Sequence, residues 1–286
     1  MTNSADEFSQ WVGGKEVTFD DIQPAIAQAA AAMFDEDSRS LRAGAALPHL
    51  WHWFYFLAKA PQSSLGDDGH PRRDSDGFMP PIPYPRRMFA GARLQLHRPL
   101  VIGQTARREA VIRHIVKKPG RSGDLAFVTV GYCIFQGNTL CIEEEQDIVY
   151  RQPGPPMSAP EPVELAAPPK AAWSRTVMPD TRFLFRFSSL TYNAHRIHYD
   201  RPYAMDEEGY PGLVVHGPLT AMLLLRLVSE NTRQAIASFS FRGQSPLFDL
   251  SPFRLVGVPS HDRIDLEAQG PDAKIAMTAT AELASD

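Results

Sequence analysis

In "YPGLVVHGPLTAMLLLRLVSENT" (Tyr210–Thr232) a His-Gly-Pro start leads into residues that are apolar almost all round. Pro218 has no N–H to lose and a φ preset for a helix, so it fits a first helical turn. A helix without a polar face is covered on every side, and the rest of this half has to wrap it. Upstream, "FLFRF" (Phe183–Phe187) reads as a strand. Downstream come three or four strand-like stretches, the clearest in "AKIAMTATAEL" (Ala273–Leu283). Ile275, Met277, Ala279, Ala281 and Leu283 there share one face, while Lys274, Thr278, Thr280 and Glu282 share the other. Such alternation suits an antiparallel sheet with one covered side.

The N-terminal half repeats the plan. "FDDIQPAIAQAAAAMFDED" (Phe19–Asp37) is a helix candidate and "LPHLWHWFYFL" (Leu47–Leu57) a second, aromatic and buried element. Strands follow through "LAFVTVGYCIF" (Leu125–Phe135) and "EEEQDIVYR" (Glu143–Arg151). Residues 66–85, rich in Gly, Pro and Asp, read as an inserted surface loop. Between the halves, seven of the 25 prolines fall within 152–172, a segment that sustains neither a ladder nor a helix. The expected class is α+β, a tandem repeat in which long antiparallel sheets each wrap a buried helix. Its parts are an N-terminal unit over 1–151, a linker over 152–172 and a C-terminal unit over 173–286.

A chain of 286 residues suffices for two such units, each with its own core. The 29 basic and 33 acidic residues are interspersed, which argues against a nucleic-acid or membrane partner and for a small molecule. With no basic segment leading an apolar core at the start, and no long apolar run, a cytoplasmic location is expected. Cys133 and Cys141 flank a hairpin turn and are expected to act as small apolar residues, not as a redox pair.

"FSSLTYNAHRIHYDRPY" (Phe187–Tyr203) gathers Asn193, His195, His198, Asp200 and three tyrosines just before the buried helix. Taken singly, each suits a turn in which side chains bond nearby backbone. His195, His198, Asp200 and His216 offer ligand types for a metal, but their spacing follows no metal motif, and neither metal nor cofactor is expected. No G-x-S-x-G elbow marks a serine hydrolase. What favours chemistry is the helix mouth. Gly217 offers an N–H at the positive end of the helix dipole, with no side chain to block an approaching oxyanion. A histidine-bearing loop facing such a donor is the minimum kit for proton transfer next to a carbonyl.

This loop and the "YPGLVVHGPLTAML" after it resemble the Asp-x-Asn-Pro-x-His motif and His-Gly helix start of the MaoC-like branch of hot-dog-fold proteins. "LWHWFYFL", "DGHPRR", "PYPRRMFAGARLQLHRPL", "GRSGDLAFVTV" and "EEEQDIVYR" are similar to the subgroup with two hot-dog units. That subgroup includes 3-methylfumaryl-CoA (mesaconyl-C4-CoA) hydratases, itaconyl-CoA hydratases and type 2 hydroxyacyl-thioester dehydratases. The resemblance implies a tandem (double) hot-dog fold and reversible hydration of an α,β-unsaturated acyl-CoA thioester. A branched C5 dicarboxylyl-CoA, hydrated to citramalyl-CoA, is the first expectation. Dehydration of simple 3-hydroxyacyl thioesters, a hot-dog thioesterase and a non-catalytic acyl-CoA-binding protein are the alternatives. A thioesterase would normally carry a carboxylate on the helix, and "GPLTAMLLLRLV" has none before Glu230. The resemblance also implies one active site per chain, an N-terminal unit that accommodates substrate or CoA, and an open choice between monomer and homodimer.

Matched to the motif, His198 stands at the active-site His, Asn193 at the usual Asp, His195 at Asn and Arg196 at Pro. The expected chemistry has His198 deprotonate a water aimed by the Asn193 amide oxygen, while the Gly217 N–H holds the thioester oxygen. Asp200 is a candidate to orient the His198 ring. Lys117, Lys118 and Arg121 on "VKKPGRSG", with Arg86 and Arg87, are candidates for CoA phosphates. Arg196, Arg201 and Arg242 are candidates for a free acyl carboxylate, and Tyr210 and His216 complete the substrate-site set.

Overall fold

Ten strands form one antiparallel sheet in the computed structural model, which describes residues 7–73, 77–120, 123–170 and 172–284. The first half supplies β1 (Lys15–Asp21), β2 (Arg86–Leu96), β3 (Thr105–Gly120), β4 (Gly123–Gln136) and β5 (Thr139–Arg151). The second supplies β6 (Trp173–Val177), β7 (Ile236–Gly243), β8 (Phe253–Ser260), β9 (Arg263–Gln269) and β10 (Ile275–Leu283). Their order is β1-β3-β4-β5-β2-β7-β10-β9-β8-β6. Read inward from either edge, the connections are the same, so each half is one copy of a single plan. The copies meet where β2 pairs with β7, Ala92 opposite Phe241 and Leu94 opposite Phe239.

The helix α3 (Gly217–Asn231) is buried at every position from Leu219 to Leu225, as its all-round apolar sequence requires. It packs on β8, β9 and β10 and reaches β2 across the junction. On β10 the expected alternation holds from Met277 on, with Met277, Ala279, Ala281 and Leu283 buried and Glu282 exposed, but a register shift at the strand start leaves Ile275 half-buried and buries Ala276 instead.

"FLFRF" is not a strand. It lies inside α2 (Thr181–Leu190), whose N-cap Asp180 accepts a hydrogen bond from the Phe183 N–H at 2.9 Å. Leu184, Phe187 and Ser188, at helical spacing, face inward, and Phe185 is exposed. Five residues were too short a window to separate period two from period 3.6.

In the first half, α1 (Pro24–Met33) packs against α2 and buries Ala27, Ala30, Ala31 and Met33. The aromatic stretch forms only a 3₁₀ turn, Trp51–Phe54. Leu50 at φ 66° and Phe56 at φ 55° bracket it in left-handed conformations that stop a helix from growing. Among the described residues no helix of α3's length lies in the first half, and the buried aromatic side chains Trp51, Phe54, Tyr55 and Phe56 belong to the main apolar cluster.

Residues 66–85 are more than a surface loop. Ile82 and Tyr84 are buried in a second apolar cluster with Phe8, Val128, Val130, Ile148 and Tyr150. The Pro-rich segment has no regular structure among its described residues, but it is tied down: Met157 N–H bonds Gly209 O at 2.8 Å and Val163 N–H bonds Pro271 O at 2.9 Å. Both cysteines are free thiols, and Cys133 pairs across the hairpin with Glu143, not with Cys141. No helix among the described residues is long and apolar enough to cross a membrane.

Candidate active site

A cavity of about 790 Å³ opens between the halves, lined from the second half by Asn193, His195, His198, His216 and Gly217. The turn Arg196–His198 and the start of α3 put these groups together. The His198 Nδ1 lies 2.8 Å from Val214 O. A carbonyl only accepts, so Nδ1 carries the proton and Nε2 keeps its lone pair. Burial lowers the His198 pKa to about 4, with the Val214 bond partly opposing, so the ring is a neutral base at physiological pH.

His216, the N-cap of α3, stacks on His198, with ring centroids 3.7 Å apart, and its Nε2 lies 2.9 Å from Ser188 Oγ. Burial, then His198 and His195, hold it well below the ordinary histidine range. Its neighbour Gly217 opens the helix, and among the described residues its N–H has no partner. A Cβ on Gly217 would meet only Phe89 O at 3.5 Å. Packing does not demand glycine there, and the open space is free for a ligand.

Asn193 lines the cavity, but its Oδ1 accepts the His195 N–H at 3.0 Å, closing an Asx turn. His195 is buried, and among the described residues its ring nitrogens have no hydrogen-bond partner. Burial, His70, His198 and Arg87 all depress its pKa.

Asp200 does not reach His198. Its Oδ2 pairs with Arg196 at 2.7 Å, one helical turn back, and its Oδ1 accepts the Tyr203 N–H. That ion pair, with the ring of Tyr203 beneath its guanidinium, keeps Arg196 outside the cavity lining. Arg201 is likewise paired with Asp249. Arg242 does line the cavity, as does Tyr210. Lys117 and Lys118 belong to strand β3, not to a loop; Lys117 pairs with Glu7, and Lys118 stands over Phe127 at 5.5 Å. Arg121 lies outside the described residues. Arg86 is committed to Glu208 at 2.8 Å.

The first half adds three further features to the lining, of which only Arg87 was a sequence candidate, as a phosphate contact. Arg87, half-buried, has no carboxylate partner among the described residues, and the same holds for Arg108 and Arg151. Glu144, the one acidic residue among the described residues of the lining, is fully engaged: His52 Nε2 and Trp53 Nε1 lie 2.9 Å from its oxygens and Gln146 Nε2 2.8 Å. Burial would raise its pKa, but these bonds outweigh that and hold it below the ordinary value. The third is Asp68-Gly69-His70. His70 lines the cavity with its ring 4.1 Å from that of His195, and its Nδ1 lies 3.1 Å from Asp68 Oδ2. Asp68, His70 and His195 hold ligand-type atoms within 4.8 Å of one another, a closer group than the His195, His198, Asp200 and His216 set.

A sheet repeated in tandem, with a buried neutral histidine and a helix-mouth N–H unpartnered among the described residues lining one cavity, defines a double hot-dog protein of the MaoC-like dehydratase class. Among solved structures, a MaoC-like dehydratase superposes with a TM-score of 0.71 at 15% identity, covering 96% of this chain and 98% of its own. A Mycobacterium tuberculosis protein with a double hot-dog fold gives 0.55 at 14% identity, covering 95% and 96%. Residues 50–249 match the hydroxyacyl-thioester dehydratase type 2 family, and the chain belongs to it and is a hydro-lyase. The mesaconyl-C(4)-CoA hydratase of Chloroflexus aurantiacus is 64% identical over 280 residues, which is 98% of this chain and 99% of that protein.

Proposed function

We propose that the protein reversibly hydrates an α,β-unsaturated acyl-CoA thioester whose acyl group is a branched C5 dicarboxylate of the mesaconyl kind. His198 Nε2 takes a proton from water as the water oxygen bonds the β-carbon. Electron density moves onto the thioester oxygen, which the Gly217 N–H and the α3 dipole stabilise. The imidazolium then returns the proton to the α-carbon, and a hydroxyacyl-CoA results. The identity to a mesaconyl-C(4)-CoA hydratase supports this reading.

The observation that carries the dicarboxylate is the cavity's charge. Arg87 lies half-buried with no carboxylate partner among the described residues, near enough to depress the pKa of both His70 and His195. An unpaired, partly desolvated guanidinium is costly without an anion, and a carboxylate matches its fork. Arg242 and Arg151, also in the lining, are suited to CoA phosphates. The test is a direct hydration assay comparing mesaconyl-C4-CoA with crotonyl-CoA. A kcat/KM at least about 100-fold higher for the dicarboxylyl substrate is expected. Equal turnover, or preference for crotonyl-CoA, defeats the dicarboxylate assignment in favour of simple acyl chains.

A further inference from the structure

The turn Asp68-Gly69-His70 is pressed against the motif loop from the opposite half. Gly69 has φ 87°, and a Cβ on it would lie 1.8 Å from Ala194 O, so no other residue fits without moving one of the two backbones. The Asp68 carbonyl accepts the Arg196 N–H at 2.9 Å, a further tie between the two loops. Asp68 Oδ1 also accepts the His70 N–H at 2.9 Å, while Oδ2 faces the His70 Nδ1 at 3.1 Å. Burial favours the neutral Asp68 carboxyl, but the hydrogen bonds it accepts from His70 outweigh it, and Asp68 stays ionised. A carboxylate only accepts, so the His70 Nδ1 carries a proton, and because burial holds the ring's pKa below the ordinary histidine value, Nε2 keeps its lone pair. Two imidazoles in this state, His70 and His198, thus flank His195, at ring separations of 4.1 Å and 5.3 Å. Both line the same cavity.

We infer that His70, oriented by Asp68, is the second water-binding group of the site, filling the place of the carboxylate that Asn193 cannot supply. The inference rests on the hydratase reading. The bound water donates one hydrogen to His198 Nε2 and the other to His70 Nε2, which turns an oxygen lone pair toward the β-carbon. The O–H bond to His198 breaks as the O–C bond forms, and the π pair moves onto the thioester oxygen. The proton on His198 then passes to the α-carbon. His70 keeps its hydrogen bond to the new hydroxyl throughout, so one water is consumed and neither histidine is left changed. The Asn193 amide oxygen already spends one of its two lone pairs on the His195 N–H, which fixes its orientation within the turn. Asp68 acts through His70 and is a positioning residue.

The experiment compares His70→Ala, His70→Gln, Asp68→Asn, Asn193→Ala and His198→Ala in steady-state hydration, with thermal melts to check folding. His70→Ala should lower kcat by about 100-fold with little change in KM, and added imidazole should restore part of the rate. Asp68→Asn should lower kcat about tenfold. In ¹⁵N spectra of the histidine-labelled protein, His70 should hold the Nδ1–H tautomer, and Asp68→Asn should abolish that preference. If His70→Ala fails to fold, His70→Gln carries the same comparison. Rates for the His70 variants within about threefold of wild type, or an Nε2–H tautomer at His70, overturn the proposal. So does a loss on Asn193→Ala matching that of His198→Ala while the His70 variants stay active. A wild-type protein that hydrates no enoyl-CoA instead overturns the hydratase reading itself, before any variant is compared.

Discussion

His198 and His216 lie face to face, ring centroids 3.7 Å apart and planes 20° from parallel. Both rings are buried, and the Nδ1 of His216 has no hydrogen-bond partner, so neither has room for a second charge beside it. Burial is the main cause of depression in each, and for His216 the neighbouring His198 and His195 add to it.

A pH dependence follows. The folded pKa of His198 is about 4, below the ordinary 6.5, so between those values the unfolded chain binds more protons than the folded one. Stability from this group is complete above pH 6.5 and is lost as pH falls toward 4. At about 1.4 kcal/mol per unit, His198 alone accounts for roughly 3 kcal/mol. The urea midpoint should therefore drop clearly between pH 7 and pH 5. Since the base works unprotonated, kcat/KM should also stay level below pH 6, where a free imidazole would already be protonated. An acid limb centred near 6.5 would contradict the buried, neutral His198.

Gly217→Ala separates chemistry from folding. The added methyl meets only Phe89 O at 3.5 Å, and alanine is a better helix former than glycine, so the melting temperature should stay within about 2 °C. The same methyl projects where a thioester oxygen must approach the N–H. A loss of about 100-fold in kcat/KM is expected, the size seen when one oxyanion donor is removed. Undiminished turnover in the Gly217→Ala protein would mean that the thioester oxygen is held elsewhere.

How much of this was legible in the sequence depends on the range of the interaction involved. The buried α3 and the alternation along β10 are local patterns and could be read directly. The helix start was readable too, because Pro218 suits a first helical turn and α3 begins at Gly217. Even the diversion of Arg196 was present in principle, since Asp200 lies one helical turn on. The loss of the strand at Phe183–Phe187 came from attending to five alternating residues and not to the capping Asp180 three positions before Phe183. Asp68 and His70 could not be found this way. Their segment has a loop-like composition, and its meeting with Ala194 and His195 joins residues more than a hundred positions apart. Arg87 was grouped with Arg86 as a phosphate contact, and only the fold shows that Glu208 takes one and leaves the other in the cavity.

Glu144 should be a structural anchor of the cavity wall. It is a buried carboxylate holding three donors from His52, Trp53 and Gln146. Glu144→Leu strands those donors in an apolar setting and should destabilise the fold by about 3–5 kcal/mol. Glu144→Gln keeps one acceptor and should cost less than half as much. Denaturant titration of the two variants checks the order, and equal stabilities would mean that water reaches this wall.

Arg87→Met provides the sharpest view of substrate choice. It keeps a long apolar stem while removing the charge, so packing near Met88 and Phe89 should change little. If Arg87 meets the free carboxylate of the acyl chain, kcat/KM for mesaconyl-C4-CoA should fall by about 100-fold, in line with truncating one partner of a desolvated charge pair. Crotonyl-CoA has no second carboxylate and should lose less than about threefold. The contrast also controls for indirect effects. Removing Arg87 relieves one cause of the low pKa at His70 and His195, and any change in proton transfer from that source would act on both substrates alike. A parallel loss on the two thioesters would move Arg87 from acyl recognition to the electrostatics of the histidine row, and a loss confined to KM for both would assign it to the CoA moiety.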